Sequence, residues 1–313
     1  MSGEFEYIAW LCERTRPDRR VLLGPGDDAA VLRPPQRALL ATTDMLMDGV
    51  DFHLAEVGGV RAGRKALAAN LSDLAAMAAH PYAALVSLAL PQHPPLPGLS
   101  TRQLAEEIDT GIRTLAEAFD LPIVGGDTNS WTAPLAISIT LLGEADERGY
   151  VTRSGAQAGD WIFVTGPLGG SILGKHLDFI PRVREALALL AAVPLHAMCD
   201  ISDGLAADLF HILEQSRCSA VLRAQDIPIA PAAVTLSQQT GRSPLEHALQ
   251  DGEDFELIFT LAPDQAQRLL EHPPIPHLTP IGVCLPDLPP TLWLEMPDGR
   301  RQPLPPRGWS HPM

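Results

Sequence analysis

The sequence predicts an α/β protein built as two domains, and three observations predict it. Short apolar runs of strand length alternate with amphipathic or alanine-rich helices along the chain. With 313 residues, 46% of them hydrophobic, the chain is long enough for two packed cores. Around Glu144 to Gly149 it turns polar, which marks a boundary. Residues 1–146 and 147–313 are therefore expected to form the two halves.

In chain order, Phe5, Ile8, Ala9 and Cys12 fall at helical spacing within Glu4 to Arg16 and give an amphipathic first helix. Val21 to Leu23 is a short strand running into G-P-G-D-D, where glycine permits a tight turn. Taken alone, Asp27 and Asp28 read most simply as a turn whose carboxylates cap backbone amides. The apolar run Ala38 to Ala41 is a strand that ends on Thr42, Thr43 and Asp44. Gly58 to Ala79 reads as a small-residue helix able to pack closely against a sheet. Asn70, Ser72 and Asp73 interrupt its apolar pattern, which leaves a solvated face and a ligand role equally open. Tyr82 to Leu90 is a strand, and Ser100 caps a helix running to Phe119. Leu121 to Val124 is a strand that stops at G-G-D-T-N, read either as a turn or as backbone that admits a ligand closely. Leu135 to Leu142 is the last strand of this half.

The second half opens with R-S-G-A-Q-A-G-D, then the strand Trp161 to Thr165 and a glycine-rich turn, Gly166 to Ser171. Gly169 to His176 reads G-x-x-x-x-G-K-H, with His176 where a P-loop carries its Mg²⁺-holding Ser or Thr. That departure, and the apolar stretch Ser171 to Leu173, speak against a phosphate cradle. Pro181 is expected at the first position of a helix reaching Val193. Met198 to Ser202 reads as a strand and Asp203 as the cap of a helix beginning near Gly204. His247 to Thr260 runs from a helix through the acidic turn D-G-E-D into an alternating strand, with Glu256 exposed or salt-bridged and Glu253 the better candidate for touching a ligand. A helix after Asp264, strands at Ile281 to Cys284 and Thr291 to Glu295, and a proline-rich tail complete the chain.

The formal charge of −15 and a complement of two lysines, Lys65 and Lys175, argue against a nucleic-acid partner, which needs clustered cations. Solubility accounts for much of that charge, and bound cations can neutralise the rest. No apolar run is long enough to span a membrane. The start M-S-G-E-F-E-Y-I-A-W lacks a basic region followed by an apolar core, so the cytoplasm is the expected location. Cys12, Cys199, Cys218 and Cys284 form no C-x-x-C pair and read as reduced, buried thiols.

What organises the chain is an element that recurs: small residues or Gly beside Asp near an apolar run. It occurs as G-D-D at Gly26, T-T-D at Thr42, N-L-S-D at Asn70, G-G-D-T-N at Gly125 and D-I-S-D-G at Asp200. Short oxygen-bearing side chains suit Mg²⁺, which prefers oxygen and shares its shell with phosphates. Asp200 stands out because it lies inside an apolar strand, where an unpaired carboxylate is costly. The repetition points to one shared site.

These motifs, with K-A-L-A-A-N-L-S-D-L-A-A-M-A-A, T-R-S-G-A-Q-A-G-D-W-I-F-V-T-G and D-G-E-D-F-E-L, resemble the thiamine-monophosphate kinase family of the aminoimidazole ribonucleotide synthetase superfamily, in the same order from about Gly3 to Trp309. The resemblance implies a homodimer of two-domain α/β subunits. An N-terminal domain would bind ATP and metal and pair its sheet across the dimer, and a C-terminal domain would close the active-site cleft. It implies transfer of phosphate from ATP to thiamine monophosphate, giving thiamine diphosphate. By similarity Asp28, Thr42, Thr43, Asp44, Asp73, Asp127, Asp200 and Asp203 would hold several Mg²⁺ ions. Gly126, Arg153 and Ser202 would contact ATP. Glu253 and Trp309 would face the thiamine, and the resemblance leaves room for a monovalent cation. No general base is expected, because the acceptor phosphate is already an anion.

One departure stands at the substrate side: the family continues G-V-H-F, whereas this chain reads G-V-D-F-H, with Asp51 in the histidine's place and His53 two residues on. Two alternatives stay open beside the kinase. One is a sister enzyme of the superfamily, although Cys12 lies in a helix rather than a glycine-rich segment and the sequence ends H-P-M rather than in a reactive cysteine. The other is a non-catalytic sensor of ATP or metal.

Overall fold

The computed structural model describes residues 3–309, which divide into two compact units. The first comprises residues 3–74 with 80–147, and the second 75–79 with 148–309. No helix among the described residues is long and apolar enough to cross a membrane.

The first unit runs α1 (Gly3–Arg14), β1 (Val21–Leu23), β2 (Val31–Leu32), β3 (Leu39–Met47), α2 (Leu54–Ala76), β4 (Ala79–Pro91), α3 (Thr101–Ala118), β5 (Ile123–Trp131) and β6 (Ala136–Ala145). β1 and β2 pair by themselves, and the remaining strands form a sheet in the order β3-β6-β4-β5. All nine residues of β3 pair antiparallel with β6, from Leu39 opposite Glu144 to Met47 opposite Ala136. T-T-D therefore lies in mid-strand rather than at a strand's end, because the ladder with β6 continues past it. G-G-D-T-N likewise does not stop its strand: β5 pairs parallel with β4 through Asp127 and on to Trp131.

Leu67, Leu71 and Leu74 of α2, Leu104, Ile108 and Ile112 of α3, and Ile137, Ile139 and Leu141 of β6 are each 2% exposed or less and form this unit's core. Burial of each is worth about 1.5–3 kcal/mol. The helices meet backbone to backbone: a Cβ on Gly111 would stand 1.9 Å from the Val60 carbonyl, and one on Gly63 2.3 Å from that of Ile108. α2 starts four residues earlier than the sequence suggests and is broken at Gly58, whose φ of 73° is left-handed. Asn70 and Ser72 are buried, so a solvated face does not apply to them. The Ser100 cap is present as a full capping box with Gln103.

The second unit contains β7 (Trp161–Val164), α4 (Lys175–Asp178), α5 (Val183–Ala192), β8 (Ala197–Asp200), α6 (Leu205–Ser216), β9 (Ser219–Arg223), α7 (Pro231–Thr240), α8 (Pro244–Gln250), β10 (Leu257–Leu261), α9 (Pro263–Glu271), β11 (Thr279–Leu285), β12 (Leu292–Glu295) and β13 (Arg301–Pro303). Its seven-stranded sheet has the order β13-β12-β9-β11-β7-β10-β8. Alternation along the strands serves two faces. Ile162, Val164 and Ile258 join the cluster that includes Leu205, Leu209 and Ile212 of α6, while Phe163 and Phe259 stack with ring centroids 5.4 Å apart.

Several expectations change here. α5 begins at Val183 with Arg182 as its cap, so Pro181 lies outside the helix. The proline-rich tail contains a strand, β13, paired with β12. Of the two alternatives for Glu256 the salt-bridged one holds, with the side chain 1% exposed. Cys199, Cys218 and Cys284 are buried free thiols, and Cys12 is half-buried.

Candidate active-site residues

In the first unit the period-2 geometry of β3 sorts T-T-D onto two faces. Leu40, Thr42, Asp44 and Leu46 turn to the covered side, and Ala41, Thr43 and Met45 to the exposed one. The Thr42 hydroxyl donates to a carboxylate oxygen of Asp73, half-buried on α2. Asp44 follows two residues along the same face. Thr43 is not brought into this group, since its hydroxyl donates to the Ile139 carbonyl at 3.1 Å and lies 3.2 Å from Thr140 Oγ1. Asp28 is exposed in the turn after β1, with its amide held by Asp27 Oδ1 at 2.8 Å, so the capping reading holds for Asp27.

Asp127 is exposed on β5, where Asn129 Nδ2 donates to it at 3.0 Å. Gly126 beside it is required by packing: a Cβ there would stand 1.8 Å from the Val86 carbonyl. Asp51 is committed to the turn after β3, its Oδ2 accepting from the Met47 amide at 2.7 Å and its carbonyl accepting from the buried Lys65 Nζ at 2.5 Å. His53 is exposed.

The second unit brings residues from four distant segments together. Asp200 ends β8 and is 2% exposed. Beyond it the chain is held by the acidic turn: Glu253 N–H donates to the Ser202 carbonyl at 2.7 Å and Phe255 N–H to that of Ile201 at 2.8 Å. From the tail, Trp309 N–H donates to the Asp203 carbonyl at 2.8 Å. Arg153 lies beside Cys199, Asp200 and Asp208, which together favour its charged form.

Asp203 does not cap α6. That task falls to Asp208, whose Oδ2 accepts from the amides of Asp203 and Gly204 at 3.0 Å each. The reason is geometric: Gly204, with φ 126°, leaves Asp203 outside the helix start, while a carboxylate in the first turn reaches back to both amides. Asp208 is buried, and burial first, then the charges of Asp200 and Asp203, push it up to about 8.

Asp203, Asp208 and His211 offer ligand atoms within 4.8 Å of one another. Asp203 and His211 stand at a cavity of about 800 Å³ lined also by Phe210, Arg242 and Trp309. Asp208 and His211 were not singled out from the sequence. Asp208 carried the same signal as Asp73, a carboxylate set among alanines and leucines of a helix.

Residues 26–145 match the family of AIR synthase related protein, N-terminal domain, and residues 157–283 that of AIR synthase related protein, C-terminal domain. The thiamine-monophosphate kinase of Rhodopirellula baltica is 45% identical over 271 residues, covering 84% of this chain and 83% of its own. The chain belongs to the thiamine-monophosphate kinase family. Among solved structures, the thiamine-monophosphate kinase of Stenotrophomonas maltophilia K279a superposes with a TM-score of 0.76 at 34% identity, over 95% of each chain. The structure of AaThiL complexed with AMPPCP and TMP does so with 0.75 at 27% identity, over 99% of this chain and 96% of that one. Family membership thus rests on both halves of the chain, and both halves carry the carboxylate groups described above.

Proposed function

We propose that this protein is a thiamine-phosphate kinase, transferring the terminal phosphate of ATP to thiamine monophosphate and releasing thiamine diphosphate and ADP in the cytoplasm. The observation that carries the reading is the meeting of Asp200, Ser202, Asp203, Glu253 and Trp309 in one place of a chain 45% identical to a named thiamine-monophosphate kinase. Residues 1–146 would supply the metal- and ATP-binding domain, and 147–313 the α/β domain that carries Glu253 and Trp309.

The donor set fits a hard cation. Thr42, Asp44 and Asp73 present oxygen from one face of β3 and from α2, while Asp200 and Asp203 stand beside Asp208, and Asp200 and Asp208 beside Arg153. Asp28, Thr42, Asp44, Asp73, Asp127, Asp200 and Asp203 would hold Mg²⁺, and Thr43, whose hydroxyl bonds to β6, drops out of the set. When bound, Mg²⁺ neutralises the repulsion between the acceptor phosphate and the triphosphate. The chain's own residues position: Gly126, Arg153 and Ser202 toward ATP, Glu253 and Trp309 toward the thiamine. No side chain has to take a proton, since the acceptor is an anion, and transfer is direct and in line without a phosphoenzyme. A monovalent cation would add to the same neutralisation.

The sheet of the first unit supports a homodimer. β3 and β5 are its two edges, and β3 exposes Leu39, Met45 and Met47 at 53%, 60% and 39%. A long unpaired edge is a pairing surface. Asp44 and Asp127 lie on opposite edges, three strand spacings or about 14 Å apart, so a phosphate group served by both draws them from two subunits.

The test follows ADP and thiamine diphosphate in reactions containing ATP, Mg²⁺ and thiamine monophosphate, thiamine or no acceptor. Thiamine diphosphate formed only from the monophosphate is the expected result. ATP binding without phosphorylation of any acceptor would leave a sensor, and a phosphorylated protein after ATP alone would overturn direct transfer.

A further inference from the structure

The segment Gly169–His176 resembles a P-loop without being one, and the reaction above gives it no task. Its contacts do. Asp254 Oδ2 accepts from the Gly169 amide at 2.7 Å and Asp251 Oδ2 from that of Gly170 at 3.0 Å. Ser171 Oγ donates to the Gly252 carbonyl at 2.6 Å, and Lys175 Nζ to Glu256 Oε1 at 2.8 Å. The amides and lysine that would face a phosphate are taken up by the chain's own acidic turn.

His176 completes this series and differs from its other members. It is 6% exposed, and its Nδ1 lies 3.2 Å from Oε2 of Glu253, whose side chain is 32% exposed. A buried imidazole thus grips a carboxylate that stays partly open to solvent. The turn needs such a grip, because Glu253 and Phe255 hold φ values of 62° and 49°, a left-handed conformation that non-glycine residues keep only where their surroundings fix it. Three further restraints act on the backbone and the ring: the Glu253 amide on the Ser202 carbonyl, the Phe255 amide on the Ile201 carbonyl, and the stack of Phe179 on Phe255 with centroids 3.9 Å apart.

The geometry points to His176 as a positioning residue for acceptor recognition. Its Nδ1, 3.2 Å from Glu253 Oε2, holds the carboxylate in the orientation in which it meets the aminopyrimidine or the thiazolium of thiamine monophosphate. This rests on the proposed reaction, with Glu253 turned to the acceptor.

The test compares His176→Asn, whose amide nitrogen stands where Nδ1 does, with His176→Gln, whose amide nitrogen falls at the Nε2 position, and His176→Ala. Steady-state kinetics are run on each beside the wild type, with thermal stability measured in parallel. His176→Gln and His176→Ala are expected to raise the KM for thiamine monophosphate about tenfold, the coupling typical of a contacting polar pair. The KM for ATP should move less than about twofold, His176→Asn should restore the wild-type KM, and adding His176→Gln to Glu253→Gln should cost nothing further. Equal changes in both KM values, a fall in stability with KM unchanged, or additive losses in the double variant would overturn the positioning role while leaving the kinase reading intact. Should the Ala variant not fold, the Asn and Gln pair decides alone. A wild type that makes no thiamine diphosphate overturns the kinase reading, and this inference with it.

Discussion

Glu256→Gln is expected to destabilise the second unit by about 3 kcal/mol while changing almost no volume. Glu256 is 1% exposed and accepts four hydrogen bonds. Oε1 takes Lys175 Nζ at 2.8 Å and an Arg182 terminal nitrogen at 2.9 Å, and Oε2 takes Arg182 Nε at 2.9 Å and Thr165 Oγ1 at 2.7 Å. Whichever way a glutamine amide is turned, its N–H₂ faces a cationic donor. Removing one partner of a buried ion pair costs about 3–5 kcal/mol. Arg182 and Lys175 keep side-chain exposures of 28% and 30%, so both can recover water, and the low end of that range applies. For a unit of this size the loss lowers Tm by about 6–12 °C, read by scanning calorimetry.

Burial alone would raise the Glu256 carboxyl, but Arg182 and Lys175 outweigh it and hold it below the usual range. Its stabilisation is therefore present above the unfolded pKa of 4.5 and is lost as pH falls through the lower folded value. Wild type and variant should converge in acid. A Tm drop smaller than about 2 °C at pH 7 would refute the reasoning, because it would mean the four bonds carry no net stability.

Three further outcomes are expected. Burial, ahead of the opposing Lys175 charge, raises Asp254 to about 7, so the folded state holds its proton above the unfolded pKa of 3.8 and stability falls as pH climbs from about 4 to about 7. Asp254→Asn should flatten the Tm profile between about pH 4 and 7, and a profile parallel to the wild type's would contradict it. Gly126→Ala forces a Cβ to within 1.8 Å of the Val86 carbonyl and should part β5 from β4, costing about 1–3 kcal/mol and weakening ATP binding together, seen as a lower urea midpoint and a raised KM for ATP. Asp51→His removes the 2.7 Å bond to the Met47 amide and should cost about 0.5–1.5 kcal/mol without improving the KM for thiamine monophosphate, and a lower KM in that variant would show the position to be a weakened substrate contact.

The fold class was legible because strand and helix periodicities are local. So was the Ser100 cap, whose partner Gln103 lies three residues away. Where the reading failed, the missing information was a neighbour distant in sequence. Gly125 and Gly126 looked like a turn because paired glycines usually make one, yet β4 comes so close that glycine is what lets the strand continue. T-T-D looked like a strand's end because polarity rises there, but β6 pairs with every residue of β3. Pro181 fitted a helix start by propensity, and Arg182, tied to Glu256 and Glu185, set the start two residues later.

The site divides along the same line. The ordered motifs place the chain in its family, since seven segments in register constrain one another far more than any one carboxylate does. They do not say which face a residue takes or which carboxylate carries a structural task. Thr43 is separated from Thr42 and Asp44 by strand alternation alone, and Asp208 takes the cap that Asp203 seemed placed to make because Gly204 displaces the helix start. The near P-loop shows the same principle most plainly. Its glycines, lysine and spacing are local and misleading, whereas its chemistry is decided by Asp251, Glu253, Asp254 and Glu256, roughly eighty residues on, which occupy its donors before any phosphate could. A glycine-rich loop binds an anion only if its amides are left unspent, and that is a property of the whole fold.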